Sequence, residues 1–411
     1  MHKRRPAKIT SPVTSLKDDY SRVMSLAAIV GAIGVGASFL LSGMNYQKFA
    51  HAYLTSFCFL LSISLGCLFF VTVQHLAKAG WSVTVRRVAE IFATCSFPML
   101  ILFLPILIPL VMFGNSGLYE WSQPGWSGQE GSPMEQLKAQ FLTPGFFGIR
   151  VAIYFSAWGF MSWYFLSKST NQDSSGDPKL TLKMQRNSTW MMIMFAGTIV
   201  FASFDLEMSL APLWFSTMFP VYFFAGSMVG GLSTMILTCL LIQNSGRCTD
   251  EITVDHYHDL TKLLFSFVFF WGYISFSQFM LIWYANIPEE TVWFDWRINN
   301  GGWAWISLLL LFGHLLIPFL GLMARTVRRN KTYLFYATIY MLCMHWLDHY
   351  WIVMPQLNAD HSFTAMPHVQ IPCAIGMIGF FIAFFCFIAR DRSLIPLKDP
   401  RLGEALNFQN H

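Results

Sequence analysis

AYLTSFCFLLSISLGCLFFVTVQHLA, residues 52–77, runs straight into KAGWSVTVRR, residues 78–87. The first stretch holds no Asp, Glu, Lys or Arg. About 20 apolar residues suffice for one helix to cross a bilayer. The second stretch carries Lys78, Arg86 and Arg87. Basic residues gather on the cytoplasmic side of membrane helices, so this pair of stretches reads as a span that ends inside.

The same reading extends in both directions. Apolar runs predict spans near 22–44, 52–77, 85–113, 146–166, 189–210, 216–242, 261–285, 303–324, 333–354 and 370–389. The fifth ends on Asp205 and Glu207. Ten crossings return the chain to the side on which it began. Charge tests the count. Lys3, Arg4, Arg5, Lys8, Lys17 and Arg22 precede span one; Lys78, Arg86 and Arg87 follow span two. Lys168, Lys179, Lys183 and Arg186 follow span four; Arg247 and Lys262 follow span six. Arg325, Arg328, Arg329 and Lys331 follow span eight, and Arg390, Arg392, Lys398 and Arg401 close the chain. Together they are 23 of the 27 basic residues; only Lys48, Lys138, Arg150 and Arg297 fall on the other side. A missed or invented span would collapse this bias midway. The expected fold is therefore an all-α integral membrane protein of ten transmembrane helices with both termini cytoplasmic: a tail at 1–21, a membrane domain at 22–389 and a tail at 390–411.

Composition agrees. The 411 residues are 55% hydrophobic, 17% aromatic and 12% charged, against roughly 25% charged in soluble domains. The net charge of +5 reports topology rather than nucleic-acid binding. The eight cysteines form no C-x-x-C pair and read as small buried hydrophobes rather than zinc, iron–sulfur or c-type haem ligands. No short apolar run with a small-residue cleavage site follows the basic N-terminus, so no cleaved leader is expected. Outer loop 114–145 is long enough to fold over the outer face or touch a partner. Inner loop 167–187 is polar and expected to be mobile.

Ionisable residues inside a membrane cost roughly 3 kcal/mol each and attract functional readings. An inner group holds His75, Glu90 and Asp259, with Gln74 and Arg86 beside the first two. It reads as an interfacial salt-bridge cluster, Arg86 or Arg87 pairing Glu90, or as the mouth of a proton half-channel. At the outer end of span five stand Asp205 and Glu207; i, i+2 spacing places them on different helix faces, one toward protein and one toward the interface. A central set holds His314, before the kinking Pro318, and His345, Asp348 and His349, which share one helix face. A carboxylate beside His can hold its tautomer, which suits a proton relay, a quinone-binding site or a satisfied structural cluster. His345 and His349 lie on one face and cannot clamp a haem between them. Tyr273, Ser275, Ser277 and Gln278 in span seven either cross-link helices or line a polar path. Glu289 and Glu290, in the outer loop, suit a partner contact or a short surface helix.

HYHDLTKLLFSFVFFWGYISFSQFMLIWYANIPEETVWF (256–294) resembles the NrfD-like, or polysulfide-reductase-like, membrane subunits, and most closely the second such subunit, the F subunit, of alternative complex III. FDLEMSLAPLWFSTMFPVYFFAGS (204–227), LLLLFGHLLIPFLGLMAR (308–325) and MHWLDHYWIVMP (344–355) resemble the same subunit. The resemblance implies two four-helix bundles, spans two to five (about 52–210) and six to nine (about 216–354), flanked by spans one and ten. It implies a subunit of a quinol-oxidising complex that passes electrons to a cytochrome c, a copper protein or an attached oxidase of a respiratory or photosynthetic chain. Haem c and iron–sulfur clusters would lie in partner subunits, beside a related NrfD-like subunit with the better-supported quinol site. This chain would carry no redox cofactor and sit in the bacterial inner membrane. The family places an aromatic after the Asp and Asp-Pro-His before the Trp; here stand Leu206 and Ala211-Pro212-Leu213, so Asp205 and Glu207 remain the functional acids at the outer surface.

The leading expectation is a proton-conducting membrane subunit. The inner half-channel would hold His75, Glu90 and Asp259; the outer one would hold Asp205, Glu207, His314, His345, Asp348 and His349. A quinol site in this chain around His314, His345 and Asp348 is the second reading. A secondary transporter, usually marked by paired broken helices, and a structural anchor are the others.

Overall fold

The computed structural model describes residues 20–114, 117–123, 126 and 133–410. The basic N-terminal residues up to Lys17 lie outside them. Ten long helices occupy the described residues. In chain order they are α1 (Tyr20–Leu41), α2 (Tyr46–Leu76), α3 (Val83–Phe113, interrupted at Cys95), α4 (Pro144–Ser175) and α5 (Pro178–Leu206), then α6 (Phe219–Asn244), α7 (Val254–Ala285), α8 (Gly301–Gly321), α9 (Lys331–Val353) and α10 (Pro367–Ala389). No strand is present among these residues. Eight of the ten, all but α4 and α9, are long and apolar enough to cross a membrane. The chain is an all-helical, multi-pass membrane protein. Both exceptions carry ionisable side chains, as other helices do: Arg150, Lys168 and Asp173 on α4, and Lys331, His345, Asp348 and His349 on α9.

Burial ranks the helices. The apolar stretches of α2 and α6 are 89% and 83% buried, against 11% for α1. The central pair is therefore α2 and α6, with α3, α5, α7, α9 and α10 packed on one or both; α1 packs chiefly on α10. Close approach of α2 and α6 depends on glycine. A Cβ on Gly66 would lie 2.0 Å from the Ser227 carbonyl oxygen. Small residues let helix backbones meet where lipid supplies no hydrophobic driving force.

The inner segment 167–187, expected as a mobile loop, is two helix extensions joined by a tight turn. α4 continues to Ser175; Gly176 (φ 67°) takes the left-handed position that ends a helix and donates to the Gln172 carbonyl at 2.8 Å. Asp177 then caps α5 by accepting from the Lys179 N–H at 2.9 Å, and Pro178 occupies the first helical turn. Gly just past one helix and Asp-Pro at the next are stop and start signals. The stretch is polar because the helices run on past the apolar zone.

The segment between α3 and α4, expected on the outer side, packs back against the helices where it is described. Tyr119 and Trp121 are buried, and the Tyr119 hydroxyl donates to the Leu206 carbonyl at 3.1 Å. From the short helix Pro133–Phe141, Lys138 donates to the carbonyls of Pro212 and Leu213, each at 3.0 Å.

Residues 390–410, expected as a tail, are packed. Leu394, Ile395, Leu402 and Ala405 are buried. Asp399 pairs with Arg86 at 2.6 Å, the Leu397 N–H donates to Asp173 at 2.7 Å, and the Asn410 amide donates to Asp259. Arg325 donates to the Asn410 carbonyl at 3.2 Å. One segment thus touches the α2–α3, α4–α5 and α8–α9 connections and the start of α7. The opposite helix ends make their own set of contacts: Gln47 to the Leu357 carbonyl (3.2 Å), Trp214 to the Glu290 carbonyl (3.1 Å) and Asn300 to the His361 carbonyl (3.3 Å).

Candidate functional site

The face of α9 that carries His345, Asp348 and His349 points into the protein, and all three are buried. Glu207 meets His349, with Oε1 2.6 Å from Nδ1. The other His349 nitrogen, Nε2, lies 3.3 Å from the Ser62 hydroxyl, which lies 2.8 Å from His345 Nε2. A chain of four side chains, Glu207–His349–Ser62–His345, therefore runs through the interior. Ser62 stands about midway along α2, a 31-residue helix.

Proton inventory decides what this chain can do. The Ser62 hydroxyl has one hydrogen and also lies 2.7 Å from the Phe59 carbonyl. While it donates there, it accepts from both imidazoles, which fixes an Nε2–H on each. His349 Nδ1 then either accepts a hydrogen bond from the protonated Glu207 carboxyl or is itself protonated and donates to the carboxylate. When the hydroxyl rotates off the carbonyl it donates to one imidazole instead. Glu207, His349 and His345 can thus exchange protons through Ser62 without any side chain leaving its place.

Asp348 faces a different wall. One carboxylate oxygen accepts from the Tyr222 hydroxyl and the other from Trp271 Nε1 at 3.1 Å. The His314 ring lies against Trp271, centroids 4.0 Å apart, and 6.2 Å from the His345 ring. Both His314 nitrogens and His345 Nδ1 are buried without a hydrogen-bond partner. His314 sits in a π-helical turn, Leu311–Leu316. Pro318 follows and has no N–H for the helical ladder; the expected disturbance before it takes the form of this wider turn, which recurs at functional sites.

His345 fits because α6 is notched. A Cβ on Gly230 would lie 2.6 Å from its Cδ2, and one on Gly226 would lie 3.2 Å from its Cε1. The two glycines are four residues apart and share a face.

Asp205 is held differently. Arg150 grips it with Nε at 2.8 Å and Nη2 at 2.7 Å, and the Tyr154 hydroxyl donates to it at 2.6 Å. Its carboxylate is fully engaged in a buried bidentate ion pair. The expectation that one of Asp205 and Glu207 faces the interface does not hold: they are 0% and 2% exposed. α5 ends at Leu206, and Glu207 (φ −121°, ψ −48°) leaves the helix before the turn Met208–Leu210. Helical spacing no longer governs it, and its side chain swings back inward.

The inner residues do not form one group. Glu90 pairs with Arg86 at 3.3 Å and Arg87 at 3.0 Å. Arg87 also reaches Asp173 at 2.9 Å and Ser169 at 3.0 Å, and Arg86 reaches Asp399. His75 stacks on Phe165 (centroids 5.2 Å apart), its Nε2 unpartnered. Asp259 lies apart with Lys262 at 3.0 Å and Asn410. The salt-bridge reading of Glu90 holds, extended by two carboxylates, Asp173 and Asp399.

On α7, Tyr273 is exposed and Ser275 and Ser277 are half-buried; of the four polar residues singled out there, only Gln278 is buried. They line no common path. The α7 side chain that reaches Asp348 and His314 is instead Trp271. Sequence reasoning also missed Ser62, Tyr222 and the Arg150 partnership. Ser62 is one of three serines of α2, with Ser56 and Ser64, and has no signal of its own; the Gly226-x-x-x-Gly230 spacing was a usable sign that α6 makes room for something bulky.

Among the described residues no group of three His, Cys, Asp or Glu side chains is placed to hold a metal ion. No protein-family model matches this chain, and no curated protein matches it.

Proposed function

We propose that this chain is a proton-conducting membrane subunit of a quinol-oxidising complex, of the kind its sequence resembles: the F subunit of alternative complex III. The observation that carries the proton role is the buried chain Glu207–His349–Ser62–His345, which ends about midway along α2. The resemblance at 256–294 carries the assignment to the complex. On this reading α4 and α9 also cross the membrane, giving ten crossings in two four-helix bundles flanked by α1 and α10. The mutual contacts of the α2–α3, α4–α5 and α8–α9 connections, the start of α7 and residues 390–410 support placing them all on the cytoplasmic side of a bacterial inner membrane. Partner subunits supply the haem c, the iron–sulfur clusters and the better quinol site. Glu207, His349, Ser62 and His345 form the outer half-path, with His314 and Asp348 beside it. Asp205 belongs to the scaffold rather than to the path.

The test is the complex reconstituted in vesicles, with quinol turnover and proton release measured together. Glu207→Gln keeps the shape and removes the titrating group; Ser62→Ala removes the hydroxyl between the histidines. Both should slow proton transfer along the path by roughly a hundredfold or more, on the order of a lost general acid–base group, and so lower protons moved per quinol toward those that quinol oxidation itself releases, while electron transfer from quinol continues. Unchanged proton-to-electron ratios in both variants would refute the path.

A further inference from the structure

On the outer face, the surface helix Pro288–Ile298 joins α7 to α8. Its inner side is bolted down. Trp293 stacks on Trp214 (4.4 Å between centroids), and the buried Arg297 donates to the carbonyls of Trp351 and Ile352 at 3.2 and 2.9 Å. Its other side and the end of α7 enclose a cavity of about 550 Å³, whose lining includes Phe279, Trp283, Asn286, Phe294, Asp295 and Asn299.

Three properties identify what would fill it. The first is depth. Trp283, Tyr284 and Trp305 are exposed at the outer helix ends, and exposed Trp and Tyr mark the headgroup level of a bilayer. The second is charge. The surface helix carries Glu289, Glu290 and Asp295; its one base, Arg297, is buried and turned toward the end of α9. His361, stacked on Trp296, is the other ionisable group facing the helix. The third is chemistry. Aromatic faces with a carboxylate form the usual environment for an organic ammonium ion, and the amide of Asn286 offers a donor for a phosphate oxygen.

We propose that this cavity binds the headgroup of a zwitterionic phospholipid, an ethanolammonium phosphate, with the ammonium between Asp295 and the rings of Trp283 and Phe294. An anionic headgroup would meet the Asp295 carboxylate and no base in the lining, with Glu289 and Glu290 on the same helix. The anchored inner face of the surface helix leaves the cavity preformed.

The test is native mass spectrometry of the full chain from mixed detergent micelles holding equal amounts of phosphatidylethanolamine and phosphatidylglycerol with the same acyl chains. The wild type should retain phosphatidylethanolamine in preference by on the order of fivefold. Asp295→Asn and, separately, Trp283→Ala should bring the ratio near one; both side chains are exposed enough for the fold to tolerate the change. Equal retention of the two lipids by the wild type, or a preference that survives both substitutions, would overturn the proposal. Neither result depends on proton movement, so this site and the proton path stand or fall separately.

Discussion

Gly230→Ala adds one methyl group at the point where α6 meets His345. The new Cβ would lie 2.6 Å from Cδ2 and 2.8 Å from Nε2 of the ring, and 3.1 Å from Ile63 Cγ1, where ordinary contact begins near 3.4 Å. The ring must therefore retreat by roughly 0.8 Å. Nε2 is one of the two crowded atoms and is also the atom 2.8 Å from Ser62, so the retreat and the hydrogen bond compete. Overpacking costs about 1–3 kcal/mol, and a buried hydrogen bond left unmade costs about 1–3 kcal/mol more. Alanine returns about 1 kcal/mol of helix preference. The net expectation is a loss of roughly 1–5 kcal/mol, together with a fall in protons moved per quinol. Gly197→Ala is the internal control: nothing lies within 4 Å of its Cβ, so it should be neutral or stabilising by up to about 1 kcal/mol. Apparent unfolding temperature in detergent and proton release in vesicles would be read for both. A Gly230→Ala protein as stable as Gly197→Ala, with an undiminished proton yield, would refute the claim that the glycine notch seats His345 against Ser62.

Asp205→Asn should damage the fold rather than the path: it leaves Arg150 buried without its carboxylate and should cost about 3–5 kcal/mol, seen as a lower unfolding temperature. An Asp205→Asn protein of normal stability with impaired proton release would restore Asp205 to the relay. Asp399→Asn removes the carboxylate that ties residues 390–410 to Arg86; limited proteolysis should then cut that segment faster than in the wild type, and an unchanged cleavage rate would show that the buried Leu394, Ile395 and Leu402 hold it alone.

What the sequence made legible follows from which physical signals are local. Apolar length and the side preference of Lys and Arg are local, and each of the ten expected spans falls on one long helix; the α3 ends agree within two residues, while α2 begins six residues earlier, α4 ends nine later and α5 begins eleven earlier, because helices run on past the apolar zone that reveals them. The shared face of His345, Asp348 and His349 is a property of one helix and was legible too. The partners of those residues come from α2, α5, α6, α7 and α8, and nothing in the spacing of α9 names them. Ser62 became part of the site only because α2 and α6 cross closely at Gly66. Glu207 was misassigned for a related reason: helical spacing was applied one residue past the end of α5. The 167–187 connection was misread by polarity, although Ser-Gly-Asp-Pro held the stop and start signals that a closer reading of helix ends would have used.

The two sets of buried ionisable residues are separated by a waist. From Ser62 to His75 along α2 is about 20 Å, thirteen residues at 1.5 Å each. Within that interval the polar side chains are turned to local partners: Thr72 donates to the Leu68 carbonyl at 2.7 Å, and Ser64 points at the Met99 sulfur at 4.0 Å. At Gly66 the α2 and α6 backbones are in contact, and a side chain there would strike the Ser227 carbonyl. Below this level Arg86 and Arg87 are paired by Glu90, Asp173 and Asp399. A protein that conducted protons continuously would discharge the membrane; one with a packed waist holds them on either side until something moves. On the proposed function, the coupling to quinol oxidation must therefore act at the α2–α6 crossing, and the unpartnered His314 and His345 nitrogens, just outside it, are the groups positioned to receive a proton when it does.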